Sequence, residues 1–289
     1  MTAPIISAAD LEPRLGETNL VVVDATVRGV QDEAGFRWES CRAEYNEQHI
    51  PGAVYADLIH DFSNPDSGLM FGRPSVERLA AAARAIGIDD TAQVVIYDQA
   101  LGQHAARLWW LLRSAGLDAV AVLDGGLNGW RAAHRPLTAE ASAPRAAGAL
   151  TLTERSEWWA DHAEVSALSA GERPGSLVCA LPPNEFRGDA GPVWRSGHIT
   201  ASTNLPYIAL LDRDNHTFLT GADRAERTDA VGDAERTVVY CGAGLAASGT
   251  AFALVAAGKR NVAIYDGGLE EWIRSGTVLK TPKPESQLS

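Results

Sequence analysis

Cys241 closes one apolar run and opens another in the stretch VVYCGAGLAASGTAFALVAAG, residues 238–258. Thr237–Tyr240 is β-branched and aromatic, as a buried strand would be. From about Ala247 to Ala257 the apolar residues recur at helical spacing, and Gly258 reads as a helix stop. Gly242-Ala243-Gly244 between them suits a tight turn. A thiol at such a junction faces loop N–H groups and the positive end of a helix, and both favour thiolate over thiol. The chemistry on offer is nucleophilic attack by sulfur. The competing reading is a small core residue, because unpaired cysteines are among the most often buried side chains.

The rest of the composition narrows the setting. A net charge of −12 argues against a nucleic-acid partner, which needs clustered Lys and Arg, and any anionic substrate would need a local positive site. Cys41, Cys179 and Cys241 are too few for a disulfide framework in 289 residues. No CxxC pair or His/Cys cluster has metal-ligand spacing, so neither metal nor cofactor is expected. The start, MTAPIISAADLEPRL, lacks the basic and apolar segments of a signal peptide, and no apolar stretch reaches membrane-spanning length. A cytoplasmic protein with no membrane partner is the expectation; the oligomeric state stays open.

The elements that would position Cys241 occur twice. VVIYD (94–98), a helical stretch ending RLWWLLRSAG and VAVLDGGLNGW (120–130) are matched by VVYC (238–241), a stretch ending FALVAAG and VAIYDGGLEEW (262–272). Cys241 lies 143 residues beyond Asp98, and Trp272 lies 142 beyond Trp130. Upstream, LVVVD and QHIPGAVYADL correspond to SLVCA and SGHITASTNLPY. Two copies of one domain follow. The expected bounds are 1–135 for a non-catalytic copy, 136–150 for an Ala- and Pro-rich linker, 151–280 for a catalytic copy and 281–289 for a polar tail. Continuous runs such as Val21-Val22-Val23 and Val94-Val95-Ile96 predict strands buried on both faces, hence mainly parallel sheets in three-layer α/β/α domains. A helix is predicted over 74–88 with Ser75 as its cap.

Ligands of such sheets gather beyond the carboxyl ends of strands, where Cys241 sits. Asp98 takes that place in copy one, as a cap without chemistry. One thiol and one carboxylate at equivalent positions suggest that one copy acts and the other supports it. A site cleft between the copies is expected, with residues near Asp57–Arg73 as part of its wall. His49 and His198 head matched turns and read as structural hydrogen-bonders, and Trp130, Trp272, Trp158 and Trp159 as core.

With His49-Ile50-Pro51-Gly52-Ala53, Ala106-Arg107-Leu108-Trp109-Trp110, the two Asp-Gly-Gly…Trp stretches and Cys241-Gly242-Ala243-Gly244 assembled, the chain resembles the tandem rhodanese-type sulfurtransferases over about Leu20 to Trp272. The resemblance implies a persulfide relay. The Cys241 thiolate takes a sulfane sulfur from thiosulfate or 3-mercaptopyruvate, and a thiol or cyanide acceptor removes it. It also implies a cradle of Gly242, Ala243, Gly244, Leu245 and Ala246 around the anionic sulfur.

The departures from the family pattern leave the donor open. CGAGLA lacks the loop Arg and Lys usual in thiosulfate enzymes and the hydroxyls usual in mercaptopyruvate enzymes. Glu185 stands where an anion-binding Arg precedes an aromatic, so Arg187 is either an exposed charge or a displaced anion binder. Cys179 replaces the Asp expected after the early strand of copy two. A second function class, a weakened sulfur carrier or protein-binding module, fits the same departures. Phosphatases that share this architecture need Arg six residues after the cysteine, and here that residue is Ala247.

Overall fold

The structure, a computed structural model, describes residues 3–33, 35–142, 144–191, 197–232, 234–277 and 279–281. Two compact units emerge, Met1–Ser156 with Leu211–Leu219, and Glu157–Leu210 with Thr220–Ser289.

In the first unit the strands are β1 (Ile5–Ile6), β2 (Leu20–Asp24), β3 (Val27–Asp32), β4 (Gly35–Ser40), β5 (Val54–Tyr55), β6 (Gln93–Tyr97) and β7 (Val120–Leu123). Its helices are α1 (Ala8–Leu11), α2 (Arg42–Glu47), α3 (Val76–Ala85), α4 (Gln103–Ser114) and α5 (Gly126–Ala132). The central sheet runs β1-β7-β6-β2-β5, every pair parallel. Val21 to Asp24 and Val94 to Tyr97 are buried residue after residue, so both sheet faces are covered. Ser75 caps α3 by accepting the Arg78 N–H at 3.2 Å.

The second unit repeats the plan with β8 (Trp159–Ala160), β9 (Ser176–Cys179), β10 (Ser202–Asn204), β13 (Thr237–Tyr240) and β14 (Val262–Tyr265). Their order, β10-β9-β13-β14-β8, is that of the first sheet read from its other edge, and again all pairs are parallel. Its helices are α6 (His162–Ala170), α7 (Pro183–Arg187), α8 (Gly221–Asp229), α9 (Leu245–Ala256) and α10 (Gly268–Arg274). Among the described residues, no helix is long and apolar enough to cross a membrane.

The seam differs from its sequence-based expectation. Much of 136–150 is tied to the first unit by backbone. Thr138 and His49 exchange N–H···O bonds of 2.9 Å, Gly148 N–H donates to Asp89 Oδ2 at 3.0 Å, and Asp90 N–H to the Ala149 carbonyl at 3.0 Å. Arg145 pairs with Asp89 as well. An Ala- and Pro-rich segment carries few cues in its side chains, and its main-chain bonds leave no trace in composition. The antiparallel pair β11 (Leu211–Asp212) and β12 (Thr217–Phe218) also belongs to the first unit, where the Phe218 N–H donates to Asp124 Oδ1 at 2.9 Å. Most of the expected tail, 282–289, lies outside the described residues.

Candidate active site

β13 ends at Tyr240 and Cys241 follows at the carboxyl edge of the sheet, 3% exposed. Gly244 is the cap residue of α9 with φ of +88°, the left-handed region that glycine enters without penalty. That turn aims the Gly244 N–H at Cys241 Sγ, 3.0 Å away. The N–H groups of Ala247, Ala243 and Ala246 also hydrogen-bond the sulfur. Four amides thus converge on one atom at the start of a helix. Ala247 lies one residue beyond the cradle that the sequence predicts and is one of these four. Leu245 opens α9 as a buried side chain, and the loop bends at Gly242, directly after Cys241.

The charge balance corrects the expectation of a resting thiolate. Burial pushes the Cys241 thiol up from its ordinary value, and the four amides pull it down without cancelling that effect. Removing a full charge from water outweighs partial charges on N–H groups. The same burial raises Cys179 to about 12 and Cys41 to about 11. All three cysteines are free and buried.

The first unit holds the same cradle around a different group. The Asp98 carboxylate accepts the Ala100 and Gly102 N–H groups on Oδ1, both at 2.9 Å, and those of His104 and Ala105 on Oδ2 at 3.0 and 2.9 Å. Gly102 caps α4 with φ of +88°, the value found at Gly244. Asp98 is therefore a cap, as its sequence suggests, and its carboxylate fills the space that Cys241 Sγ has in the second unit.

Arg187 does not join this constellation. Its side chain is 51% exposed and its Nε bonds Asp189 Oδ2 at 2.8 Å, so it is the exposed charge of the two sequence-based alternatives. Glu185 is half-buried, its carbonyl takes the Gly188 and Gly197 N–H groups at 3.0 Å, and its charge reaches Cys179. His49 stacks on Tyr45 at 4.2 Å and donates Nδ1–H to the Tyr45 carbonyl at 2.7 Å; His198 repeats this with Phe186 at 3.8 Å and 2.8 Å. Both histidines are structural. Trp130 and Trp272 are buried core residues. Among the described residues, no group of three or more His, Cys, Asp or Glu could hold a metal ion.

Comparison with known proteins settles the ancestry. The Rhodanese-like domain family matches residues 7–133 and 163–275. The chain belongs to that family. Among relatives of this chain, a protein named "Probable 3-mercaptopyruvate sulfurtransferase" from Pseudomonas aeruginosa is 34% identical over 280 residues, covering 94% of this chain and 95% of that protein. The thiosulfate sulfurtransferase of Gallus gallus is 31% identical, with 80% of each chain covered. The crystal structure of SseA from Escherichia coli, described with the catalytic mechanism of 3-mercaptopyruvate sulfotransferases, superposes with a TM-score of 0.81 at 26% identity over 92% of this chain and 99% of that one.

Proposed function

We propose that this protein is a sulfurtransferase that works through a persulfide on Cys241. The observation that carries the reading is the buried Cys241 thiol at the carboxyl edge of a parallel sheet, held by four convergent loop amides. The Cys241 thiolate attacks the sulfane sulfur of the donor, forming a S–S bond while the donor's bond to that sulfur breaks. Sulfite leaves if the donor is thiosulfate, and the enolate of pyruvate, which takes up a proton, if it is 3-mercaptopyruvate. An acceptor thiolate or cyanide then attacks the outer sulfur, and the Cys241 thiolate is the leaving group.

The cradle serves each step in the same way. Its N–H dipoles are fixed before reaction and stabilise negative charge on the Cys241 sulfur whether it attacks or leaves. Gly242, Ala243, Gly244, Leu245 and Ala246 form this binding loop, with Ala247 completing it. Burial makes the free thiol a weak acid, so kcat/KM should climb as pH rises through 7 to 9, the direction in which the thiolate fraction grows.

The donor is thiosulfate or 3-mercaptopyruvate, and relatives carry both names. The test is mass spectrometry after incubation with each donor in turn. A gain of one sulfur on Cys241, removed by cyanide and missing in Cys241→Ser, is expected; a Cys241→Ser protein with normal turnover would refute the proposal. Persulfide formation without repeated turnover would instead favour the sulfur-carrier reading, which the absence of a loop Arg or Lys keeps open.

A further inference from the structure

We infer that Gly268, the second glycine of the second Asp-Gly-Gly stretch, is a positioning residue that aims the amide cradle at the Cys241 sulfur. The inference rests on the sulfur-transfer reading for its kinetic consequence and on geometry alone for its structural one. Gly268 has φ of +52° and sits against the backbone of the loop. A Cβ on it would come within 2.4 Å of the Cys241 carbonyl oxygen and 3.0 Å of the Gly242 carbonyl oxygen. Both are main-chain atoms, so neither can rotate aside. The next residue completes the fixture, because the Leu269 N–H donates to the Cys241 carbonyl at 2.9 Å.

Peptide planarity converts this packing into direction. In a trans peptide the carbonyl oxygen and the following N–H point to opposite sides of the bond. With the Gly242 carbonyl held against Gly268, the Ala243 N–H is turned away from Gly268. That N–H is one of the four that bond Cys241 Sγ. A side chain at position 268 must displace the Cys241 carbonyl and presses on the Gly242 carbonyl as well, and the Ala243 N–H moves with the latter as one rigid plane. Gly268 thus acts on the sulfur through the loop and touches no reacting atom.

The first unit contains the same fixture with no thiol to serve. Gly126 also has φ of +52°, a Cβ there would lie 2.4 Å from the Asp98 carbonyl oxygen, and the Leu127 N–H donates to that oxygen at 2.9 Å. Gly126 is therefore an internal reference within the same chain. Gly126→Ala imposes the same backbone strain and the same 2.4 Å clash with the carbonyl of the nested residue, without the second contact that Gly268 makes to the Gly242 carbonyl, and on a loop whose amides hold Asp98.

The experiment compares Gly268→Ala with Gly126→Ala in the full chain. Three readouts are taken: urea unfolding, the pH profile of Cys241 alkylation by iodoacetamide, and kcat and KM for sulfur transfer. Both variants should lose stability to a similar extent. Only Gly268→Ala should shift the alkylation profile to higher pH and lower kcat, by roughly tenfold or more, with KM little changed. Gly268→Asn, which tolerates the left-handed φ but carries a Cβ, should behave like Gly268→Ala. Recovery of wild-type behaviour in the Asn variant would overturn the carbonyl-contact account. An unchanged alkylation profile and kcat in Gly268→Ala would overturn the inference outright.

Alkylation needs no turnover, so it reads the cradle even if sulfur transfer through Cys241 fails its own test. Should Gly268→Ala not fold, backbone amide NMR of the wild type decides. The Ala243 and Leu269 amide resonances should move together when Cys241 is alkylated, while Leu127 stays still. A Leu269 resonance that does not respond would count against the coupling.

Discussion

The loops after β6 and β13 have the same amides and opposite tasks. Four N–H groups converge on Asp98 in the first unit and on Cys241 in the second, both loops end in a glycine at φ of +88°, and both are braced by a glycine at φ of +52°. A carboxylate in such a nest is a permanent charge with its hydrogen bonds made. A thiol in the same nest carries its charge only when deprotonated, so the donors are held ready for a state that comes and goes. The fold supplies an anion site in both copies, and one side chain decides whether that site is a structural brace or a reaction centre.

Replacing the group in each nest should separate the two roles. Cys241→Ser should lower sulfur transfer by more than about 1000-fold with little change in stability, since a hydroxyl is far less nucleophilic at neutral pH. Cys41→Ser and Cys179→Ser should leave turnover within a few-fold of wild type, because neither thiol sits in a glycine-bearing loop. Loss of turnover in either one would break the assignment of a single active copy. In the first nest, Asp98→Ala would strand four N–H donors and should lower unfolding free energy by about 2–4 kcal/mol while the active protein that remains still transfers sulfur. Urea unfolding measures the first effect, and single-turnover assay the second.

The residues just upstream differ between the copies as well, and the difference titrates. Asp24 and Cys179 end equivalent strands, β2 and β9. Asp24 is fully buried, and burial raises its carboxyl from 3.8 to about 6 although Thr26 and Gln99 donate to it. A carboxyl raised on folding contributes most below its unfolded value, and that contribution is lost as pH climbs through the folded one. Between pH 4 and 7 the loss should be at most about 3 kcal/mol. Asp24→Asn should remove this slope, so the variant gains on the wild type as pH rises. Parallel unfolding curves at both pH values would contradict the expected charge penalty. The smallest effect belongs to Arg187→Ala: with the side chain exposed and paired to Asp189, kcat/KM for either donor should change less than about twofold.

How far the sequence reaches is plain in this same pair of loops. The internal repeat, the buried strands and the strand–Cys–turn–helix junction are all legible, because hydrophobic runs, a β-branched stretch and a glycine turn are written in residue types. The Asp98 cap is legible for the same reason. The state of Cys241 is not: local amides argue for thiolate, but burial is a property of the whole unit and reverses the sign. Ala247 was invisible as a donor because any residue supplies an N–H. Gly268 left a usable signal, a glycine pair repeated 142 residues apart in Asp-Gly-Gly, yet its meaning depends on which carbonyls approach it. Arg187 keeps two readings in the sequence because adjacency to a motif says nothing about which way a side chain points. The seam misled because backbone bonds hold it.

The hairpin β11–β12 bears on any attempt to take this protein apart. A cassette ending at Ser156 omits residues 211–219, and with them the Phe218 amide that meets Asp124. The order of the gene and the order of the solid therefore disagree. Anyone exchanging halves between such proteins, or expressing one half alone, would be moving an incomplete object, with a half-buried carboxylate stripped of its amide partner at the cut.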